Sequence, residues 1–465
     1  MESRLQAASA LASAMAKFSS PIFKPTRLTA LLFLFSFLAI VPAPAALWTT
    51  AYYPGYEQGA MPASNIDFTT LTHVIHFALT PQSNGTLDNT ANSLTAANIS
   101  DLVSLAHAAG RKVLVCVGGA DSETGFVGAT STANLTAFVT NIVRFMSANG
   151  YDGVDLDWEP LADADVTQYQ NLVTGLRASL NNFAPPKLLT AAVASQPAMF
   201  AAIQSQFDQI NVMTYDMAGP YPGWVTWFNS PIYDGGYRFQ STGALIPSDD
   251  GLIGGYISSG VPPDKLGIGI AFYGYSWTGP GITGPRQSWT TSVPAFTALR
   301  YSDIITSYYQ SNRYHWDTNA QAAYLSVTNS PAANDQFISY DDEHTCGAKI
   351  SYARNRGLGG VMIWELSQDY FATQPAGQRA PLLQAVKSAL ATPGLTAIQI
   401  NGQSVQLSFS SLPLALYRVE WSTNLASGTW NTLTNNVAGT GSTISVFDSI
   451  SSNQSTRFYR FKTPP

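Results

Sequence analysis

The sequence is poor in charge and in histidine, and each shortage removes a class of function. Lysine, arginine, aspartate and glutamate make up only 11% of the 465 residues, and the formal net charge is −6. A nucleic-acid-binding protein needs basic clusters to offset phosphate charge, so this balance argues against that class. The five histidines are scattered without metal-ligand spacing. We therefore expect no zinc site, no other metal and no cofactor.

Cysteine is also scarce: the chain contains only two, too few for a framework of several disulfides. Cys116 lies in an apolar run, and Cys346 lies at the start of a predicted helix. We interpret both as buried free thiols. A single bridge between them is the alternative.

Long apolar runs are absent except near the N-terminus. Lys17, Lys24 and Arg27 precede the apolar run 28–41, and the small residues 43–45 follow it. This order is typical of an export signal. Residues 1–45 are therefore predicted to be a signal peptide, and the mature protein is predicted to be secreted, periplasmic or retained at the cell surface. The run is short for a bilayer span of ~20 residues, and an uncleaved anchor is the alternative.

Aromatic residues, by contrast, are abundant. They make up 12% of the chain, with 22 Tyr and 10 Trp. Flat rings with polar edges suit sugar recognition, because they stack on pyranose faces and hydrogen-bond at the rim. A large core with ordinary surface aromatics would give the same composition.

Short apolar runs alternate with longer helix-compatible stretches over most of the chain, and 134–148 and 166–180 are amphipathic. Strands buried on both faces read as continuous apolar runs, and this alternation predicts parallel crossovers. Eight such runs predict a (β/α)8 TIM barrel of the α/β class. A doubly wound sheet is the alternative, although no glycine-rich phosphate loop follows the first run. The runs are Leu47–Tyr53, Thr72–Thr80, Lys112–Gly118, Gly153–Glu159, Leu188–Ala194, Ile210–Tyr215, Leu266–Tyr273 and Gly359–Leu366.

Two segments do not fit the alternation. The interval 274–337, between the last two runs, exceeds one crossover helix and is rich in aromatics, with 301–310 predicted to be helical. It predicts a small α+β insertion rather than a disordered loop. After residue 393 the pattern changes to short alternating runs separated by Ser, Thr, Asn and Gly. The barrel is thus assigned to 46–392, and 393–465 to an antiparallel β-sandwich-like accessory module.

The aromatic residues of this module have two interpretations. They could form a stacking surface for insoluble polysaccharide, or they could fill the core of a small sandwich, which is the interpretation we prefer. The residues concerned are Tyr417, Trp421, Trp430 and Tyr459.

The fourth run carries acids at alternate positions. Asp155, Asp157 and Glu159 share one face of a strand, whereas Asp152 has the other parity. Neighbouring carboxyls repel when ionised, so their pKa values should separate, as a general acid near neutral pH requires. Glu159 would stand at the mouth of the barrel. A solvated acidic loop or a divalent-cation site is the alternative, but apolar residues occupy the positions between the acids.

The eight residues from Asp152 to Glu159, DGVDLDWE, resemble the DGxDxDxE signature of the glycoside hydrolase family 18 chitinases. Other segments resemble further strands of that family in the same order, and the likeness covers approximately residues 47–390. These segments are 112–119 (third strand), 211–216 (sixth), 267–274 (seventh) and 359–365 (eighth).

The resemblance implies substrate-assisted, retaining hydrolysis of β-1,4-linked N-acetylglucosamine polymers, in which the acetamido group of the sugar is the nucleophile. Glu159 would protonate the leaving oxygen and later activate water. Asp157 would orient the acetamido N–H and stabilise the oxazolinium-like intermediate, and Asp155 would share a proton with Asp157. Tyr215 would donate to the acetamido carbonyl.

The resemblance also implies the substrate-binding residues. Trp364 would form the floor beneath the distorted sugar, and Tyr52, Met213 and Asp216 match further positions lining that subsite. The expected partner is chitin or another N-acetylglucosamine oligosaccharide, bound by a monomer without nucleic acid and, after signal cleavage, without a membrane.

The sequence departs from the commonest family pattern at three positions. Cys116 stands where Ser is usual, and a thiol is a weaker donor than a hydroxyl. Pro160 follows the catalytic glutamate where Tyr is frequent, and Tyr275 stands where Arg is frequent. None of these removes a catalytic group.

Two other functions remain open. A chitinase-like lectin would use the same barrel only to bind sugar, but such lectins typically lose an acid of the signature. An endo-β-N-acetylglucosaminidase would act on other glycans. The insertion favours a chitinase, since by resemblance it walls a deep cleft for a long chain.

Overall fold

The structure, a computed structural model, describes residues 47–240, 242–289, 292–391, 395–411, 416–424, 428–439, 443–450 and 456–462. The predicted signal peptide and the predicted boundary at residue 393 lie outside these ranges. Within them, no helix combines the length and apolarity that crossing a membrane requires.

The strands, in chain order, are β1 (Trp48–Pro54), β2 (His73–Pro81), β3 (Leu87–Asp88), β4 (Lys112–Gly119), β5 (Gly153–Trp158), β6 (Leu188–Val193), β7 (Gln209–Val212), β8 (Leu266–Ala271), β9 (Tyr273–Thr278), β10 (Ala295–Arg300), β11 (Tyr314–Asp317), β12 (Ala322–Val327), β13 (Gln336–Tyr340), β14 (Gly360–Trp364), β15 (Leu395–Asn401), β16 (Ser404–Ser410), β17 (Leu416–Ser422), β18 (Asn431–Ala438), β19 (Thr443–Ser449) and β20 (Phe458–Lys462).

The α-helices are α1 (Ala96–Ala108), α2 (Glu123–Ala129), α3 (Leu135–Ala148), α4 (Val166–Leu180), α5 (Pro197–Ile203), α6 (Asp249–Ser259), α7 (Tyr301–Asp303), α8 (Glu343–Arg356) and α9 (Pro381–Leu390).

Eight parallel strands close into a barrel in the order β1-β2-β4-β5-β6-β7-β8-β14. The closure is made by β1, which pairs in parallel with β14 on one side and with β2 on the other. The predicted (β/α)8 fold is therefore confirmed, and each predicted run overlaps one barrel strand. The strand ends differ from the prediction by up to three residues, most at β7, which stops at Val212.

Alternation along the barrel strands produces two cores. Side chains of one parity, among them Tyr52, Ile75 and Cys116, pack inside the barrel. Those of the other parity, such as Val154 and Leu156, pack between the barrel and the helices. An acid placed among the inner set is thus held in the middle of the molecule.

The insertion is a five-stranded antiparallel sheet in the order β10-β9-β13-β12-β11, between β8 and β14. The predicted helix 301–310 forms α7 and continues as the π-helix Ile304–Tyr308. Trp277 and Phe337 of this sheet pack with Trp227 and Phe228, which come from the long loop after β7. The insertion therefore shares a core with a loop of the barrel mouth.

Beneath the insertion lies a buried ion cluster that the sequence did not reveal. Lys349 of α8 contacts Asp341 at 2.8 Å and Asp249 at 3.3 Å, and all three side chains are at most 3% exposed. Its Nζ also donates to the carbonyl of Gly269 in β8. The cluster joins α6, α8, β8 and the end of β13.

The C-terminal module consists of two three-stranded antiparallel sheets, β15-β16-β19 and β18-β17-β20. Their facing side chains form a common core that includes Tyr417, with Tyr459 packed against it. Trp421 and Trp430 are half-buried, and each carries a guanidinium over its ring: Arg457 at 3.7 Å and Arg460 at 4.2 Å.

Candidate active site

Strand β5 delivers the acids to the centre of the barrel. Asp155 and Asp157 point inward and are at most 2% exposed. Glu159 follows the last residue of the strand and is half-buried. Trp158 points the other way, into the helical layer, where its ring stacks on Phe126 with centroids 4.5 Å apart. The predicted alternation of acids on one face is thus realised.

A cleft of about 640 Å³ opens at the carboxyl ends of the strands. Six of the eight predicted site residues line it, namely Asp157, Glu159, Met213, Tyr215, Asp216 and Trp364. The other two, Asp155 and Tyr52, lie beneath it. Sequence positions more than 200 residues apart therefore meet around one cavity.

Asp155 is held by three donors. Thr190 Oγ1 donates to Oδ1 over 2.5 Å, Tyr52 Oη donates to Oδ2 over 2.7 Å, and the Cys116 thiol donates to the same carboxyl group. Burial raises the pKa of Asp155, and the three hydrogen bonds oppose that rise. These donors favour the ionised form.

Asp157 and Glu159 form a hydrogen-bonded pair. Burial and the neighbouring carboxylates raise the pKa of Asp157 well above its usual range, so Asp157 carries the proton and donates it to Glu159. Burial also raises the pKa of Glu159, while the bond from Asp157 lowers it. The resemblance implied proton sharing between Asp155 and Asp157. In this structure Asp157 is hydrogen-bonded to Glu159, and Asp155 accepts from its three donors.

Tyr215 and Asp216 form the wall opposite the acids. The Tyr215 hydroxyl lies 3.6 Å from the sulfur of Met362, a weak contact that leaves it able to meet a ligand. Asp216 adopts a left-handed backbone, with φ of 58°. Its N–H donates to Asn229 Oδ1, and Tyr273 Oη donates to its carboxylate over 2.5 Å. These bonds fix Asp216, and both residues line the cleft.

Trp364 ends β14 and forms the base of the cleft, where its ring meets Phe77 edge-on with centroids 4.9 Å apart. Tyr52 was predicted to line the subsite, and the structure places it differently. It is 1% exposed, and its ring contacts those of Trp364 and Phe77. Tyr52 is not among the residues that line the cleft, and its hydroxyl donates to Asp155.

Some residues of the cleft escaped sequence reasoning. Ser122 lines the cavity and its Oγ accepts the backbone N–H of Glu159, which fixes the end of β5. Phe77 and Tyr56 add aromatic walls. Gly118 and Gly119 lie so close to Asp157 and Phe77 that an added Cβ would approach them within 2.0 and 2.6 Å, respectively. In the sequence, the only sign that these residues would line the cleft is their position near the carboxyl ends of predicted strands.

Asp152, the first acid of the signature, is not part of the site. It accepts from Lys112 Nζ at 2.9 Å and from the backbone N–H of Val113 at 3.0 Å, near the amino end of the barrel. Its role is to join β5 to β4.

The cleft combines a carboxyl pair that shares a proton with a tyrosine hydroxyl and an indole floor. A buried pair of this kind supplies one protonated and one ionised carboxyl near neutral pH, which is the requirement for general acid–base catalysis. The fold and the site together define a barrel enzyme with acid–base chemistry at the carboxyl ends of its strands.

Comparison with known proteins gives the family. The family model for glycosyl hydrolases family 18 matches residues 49–369, and the chain belongs to that family. It is 29% identical over 371 residues to a chitinase A1 from Niallia circulans, covering 71% of this chain and 49% of the relative. The chain spans about half the length of the curated relatives that it matches first.

Solved structures share the fold. A group IV chitinase from Ostrinia furnacalis in complex with allosamidin has a TM-score of 0.65 at 22% identity and covers 74% of this chain and 99% of its own. A mutant class V chitinase from Cycas revoluta in complex with (GlcNAc)3 has a TM-score of 0.61 at 22% identity, and the match covers 74% of this chain and 99% of that chain. At such identities the likeness concerns the fold.

Proposed function

We propose that the protein is a chitinase that hydrolyses β-1,4-linked N-acetylglucosamine polymers with retention of configuration. The single observation that carries this proposal is the buried Asp157–Glu159 pair in a cleft floored by Trp364. Membership of family 18 supports it, because in that family the substrate's own acetamido group replaces the second carboxylate.

The pair explains how one glutamate can act twice. In the free protein Asp157 donates to Glu159 and favours its ionised form. When a sugar is bound, Asp157 turns toward the acetamido N–H, and Glu159 loses that donor. Its pKa then rises, because burial and the negative charges of Asp216 and Asp121 remain. Glu159 is therefore protonated when the leaving oxygen needs a proton.

The nucleophile is positioned from two sides. Asp157 has one buried carboxyl oxygen, Oδ1, without a hydrogen-bond partner among the described residues, and this atom is available to the acetamido N–H. The Tyr215 hydroxyl, free of strong contacts, would donate to the acetamido carbonyl. Such pre-alignment supports intramolecular attack on the anomeric carbon.

Glutamate 159 provides the decisive test. We expect Glu159→Gln to lower kcat on chitin oligomers by at least about 10³-fold, at the upper part of the range for a general acid–base group, while oligomer affinity changes little. Glu123→Gln is the matched control, since Glu123 does not line the cleft. Turnover retained by Glu159→Gln would refute the assignment, and a wild-type protein that only binds oligomers would be a lectin.

The choice of polymer needs a separate assay. Release of soluble sugar from colloidal chitin, compared with release of glycan from a high-mannose glycoprotein, distinguishes a chitinase from an endo-β-N-acetylglucosaminidase. We expect activity on chitin. Export through the N-terminal signal, which would bring the enzyme to an insoluble substrate, is part of the same proposal, and N-terminal sequencing of the exported protein tests it.

A further inference from the structure

A second cavity lies directly beside Glu159, between the ends of β5 and β6, and measures about 230 Å³. It shares three lining residues with the cleft: Glu159, Ala194 and Met213. Its other walls come from the helical layer and the loops after the strands, and include Trp158, Leu161, Tyr169, Ser195 and Phe200. Glu159 thus lines both the cleft and this rear cavity.

Two buried polar atoms belong to residues of the rear cavity. Trp158 Nε1 and the Tyr169 hydroxyl have no hydrogen-bond partner among the described residues. The two residues are only 3% and 1% exposed, and their ring centroids are 6.0 Å apart. Buried polar groups in native proteins are almost always satisfied, by protein or by ordered water. Two such groups at one cavity therefore indicate a ligand that can accept hydrogen bonds.

The chemistry of the walls identifies this ligand as water. The indole N–H can only donate, the phenol can donate or accept, and Glu159 is the one ionisable acid or base in the lining apart from Tyr169. The remaining walls are apolar, apart from Ser195. A water molecule occupies about 30 Å³ of liquid, so the cavity has room for several. An ion would meet no countercharge there except Glu159 itself.

We propose that the rear cavity holds a cluster of ordered waters, anchored on Trp158 Nε1 and Tyr169 Oη, from which Glu159 draws the water for the second half of the reaction. The proposal rests on the proposed function. A polysaccharide that fills the cleft closes the approach of solvent to Glu159 from the cleft, whereas the rear cavity is lined by the same residue.

The step balances without another reactant. Water forms a bond from its oxygen to the anomeric carbon of the oxazolinium-like intermediate, and Glu159 accepts the proton that the water loses. The bond between the anomeric carbon and the acetamido oxygen breaks, and its electron pair restores the neutral acetamido group. A sugar hydroxyl entering from the cleft can make the same attack. The rear waters therefore set the ratio of hydrolysis to transglycosylation.

The first test is structural and independent of substrate. In a high-resolution crystal structure of the whole protein, we expect ordered waters within about 2.7–3.2 Å of Trp158 Nε1 and Tyr169 Oη, continuing to Glu159. A cavity without solvent density at these two atoms would overturn the inference.

The second test is kinetic. We expect Tyr169→Phe to raise the share of transglycosylation products from a chitin hexamer at least twofold, with oligomer affinity unchanged. Tyr151→Phe is the matched control, a buried tyrosine of the same core layer whose hydroxyl bonds His76 and which lines neither cavity. It should keep the wild-type product ratio.

The outcomes separate the two proposals. A wild-type protein that hydrolyses no chitin oligomer would overturn the proposed function. An active enzyme whose Tyr169→Phe variant keeps the wild-type ratio would overturn this inference alone. Should Tyr169→Phe fail to fold, the solvent density at the two anchoring atoms still decides.

Discussion

At the scale of single residues, the charge on Asp155 depends on three donors of unequal strength. Thr190 and Tyr52 donate through hydroxyls, while Cys116 donates through a thiol. A thiol stabilises an ionised carboxylate less than a hydroxyl does, because it is the weaker donor. The pKa of Asp155, raised by burial, is therefore sensitive to the residue at position 116.

We expect Cys116→Ser to shift the acid limb of the kcat/KM profile to lower pH, because a stronger donor lowers the pKa of Asp155. Cys116→Ala, which removes the donor, should shift the same limb to higher pH. Both profiles are measured on a soluble chitin oligomer across the acid range. Shifts in the same direction, or none in either variant, would contradict the assigned role of the thiol.

The contacts of single residues could be predicted where they follow from local sequence, and not where they depend on how distant segments pair. The acids of β5 were predicted correctly as neighbours on one face, because strand alternation is a local rule. Thr190 and Ser122 were missed, since their contacts with Asp155 and Glu159 depend on register between strands that the sequence does not encode locally. The contact of the Tyr52 hydroxyl with Asp155 also depends on that register.

At the scale of elements, the end of β4 controls how closely β5 can approach. Gly118 pairs with Asp157 across the two strands and has φ of 118°. A Cβ there would lie 2.0 Å from the backbone oxygen of Asp157. The glycine is thus needed both for its conformation and for the space that it leaves.

We expect Gly118→Ala to destabilise the fold by about 3 kcal/mol or more and to lower activity, because strain and overlap add at one site. Gly110→Ala is the control. It also has positive φ, but no atom lies within 4 Å of its added Cβ. Gly110→Ala should lower the free energy of unfolding by about 1 kcal/mol, because only the backbone conformation is unfavourable there. Urea denaturation measures both, and equal losses would show that the contact with Asp157 does not matter.

Element types were more predictable than element ends. The hydrophobic runs identified each barrel strand, yet the run 210–215 overreached β7, which stops at Val212. Beyond that point, Thr214 bonds Gly269 through its side chain, and Tyr215 turns toward the cleft. Apolar residues that follow the end of a strand and line a site cannot be distinguished, from sequence alone, from residues of the strand.

At the scale of the whole molecule, the buried Lys349 cluster ties the return from the insertion to the barrel. Lys349 lies 100 positions from Asp249 in the sequence but only 8 positions from Asp341. A lone lysine in an otherwise polar helix gives no sign of burial, so this cluster could not be predicted.

We expect Lys349→Met to destabilise the protein by ~3–5 kcal/mol, because two buried carboxyls lose their countercharge. Burial already raises the pKa of Asp249 to about 8. A raised pKa favours the folded state at low pH, and this contribution is lost as pH rises toward 8. The loss in Lys349→Met should therefore be larger at pH 8 than at pH 5.

Thermal unfolding at the two pH values measures this effect. Lys387→Met is the control, because its ion pair with Asp67 is partly exposed, at 44% and 26%, and should contribute at most about 1 kcal/mol. A loss in Lys349→Met that is the same at pH 5 and pH 8 would argue against the carboxyls as its cause.

The C-terminal module presents a further prediction. Guanidinium groups cover one face of Trp421 and of Trp430, and Tyr417 is buried, so we expect none of these rings to hold polysaccharide. Trp421→Ala, Trp430→Ala and a chain ending at residue 393 should adsorb to insoluble chitin as the full protein does. Weaker adsorption of any of these variants would contradict this prediction and support a surface of stacking aromatic rings that binds polysaccharide.

The closure of the barrel has a consequence for how the chain must be made. Trp48 at the start of β1 pairs with Gly360 in β14. During synthesis, β1 therefore lacks its second neighbouring strand until nearly the whole barrel has been made. Until then β1 and β8 both present open edges, which invite pairing with other chains. Long-range closure of this kind is also slow. A nascent chain interrupted before residue 360 is therefore expected to aggregate during biosynthesis, whatever the quality of its active site.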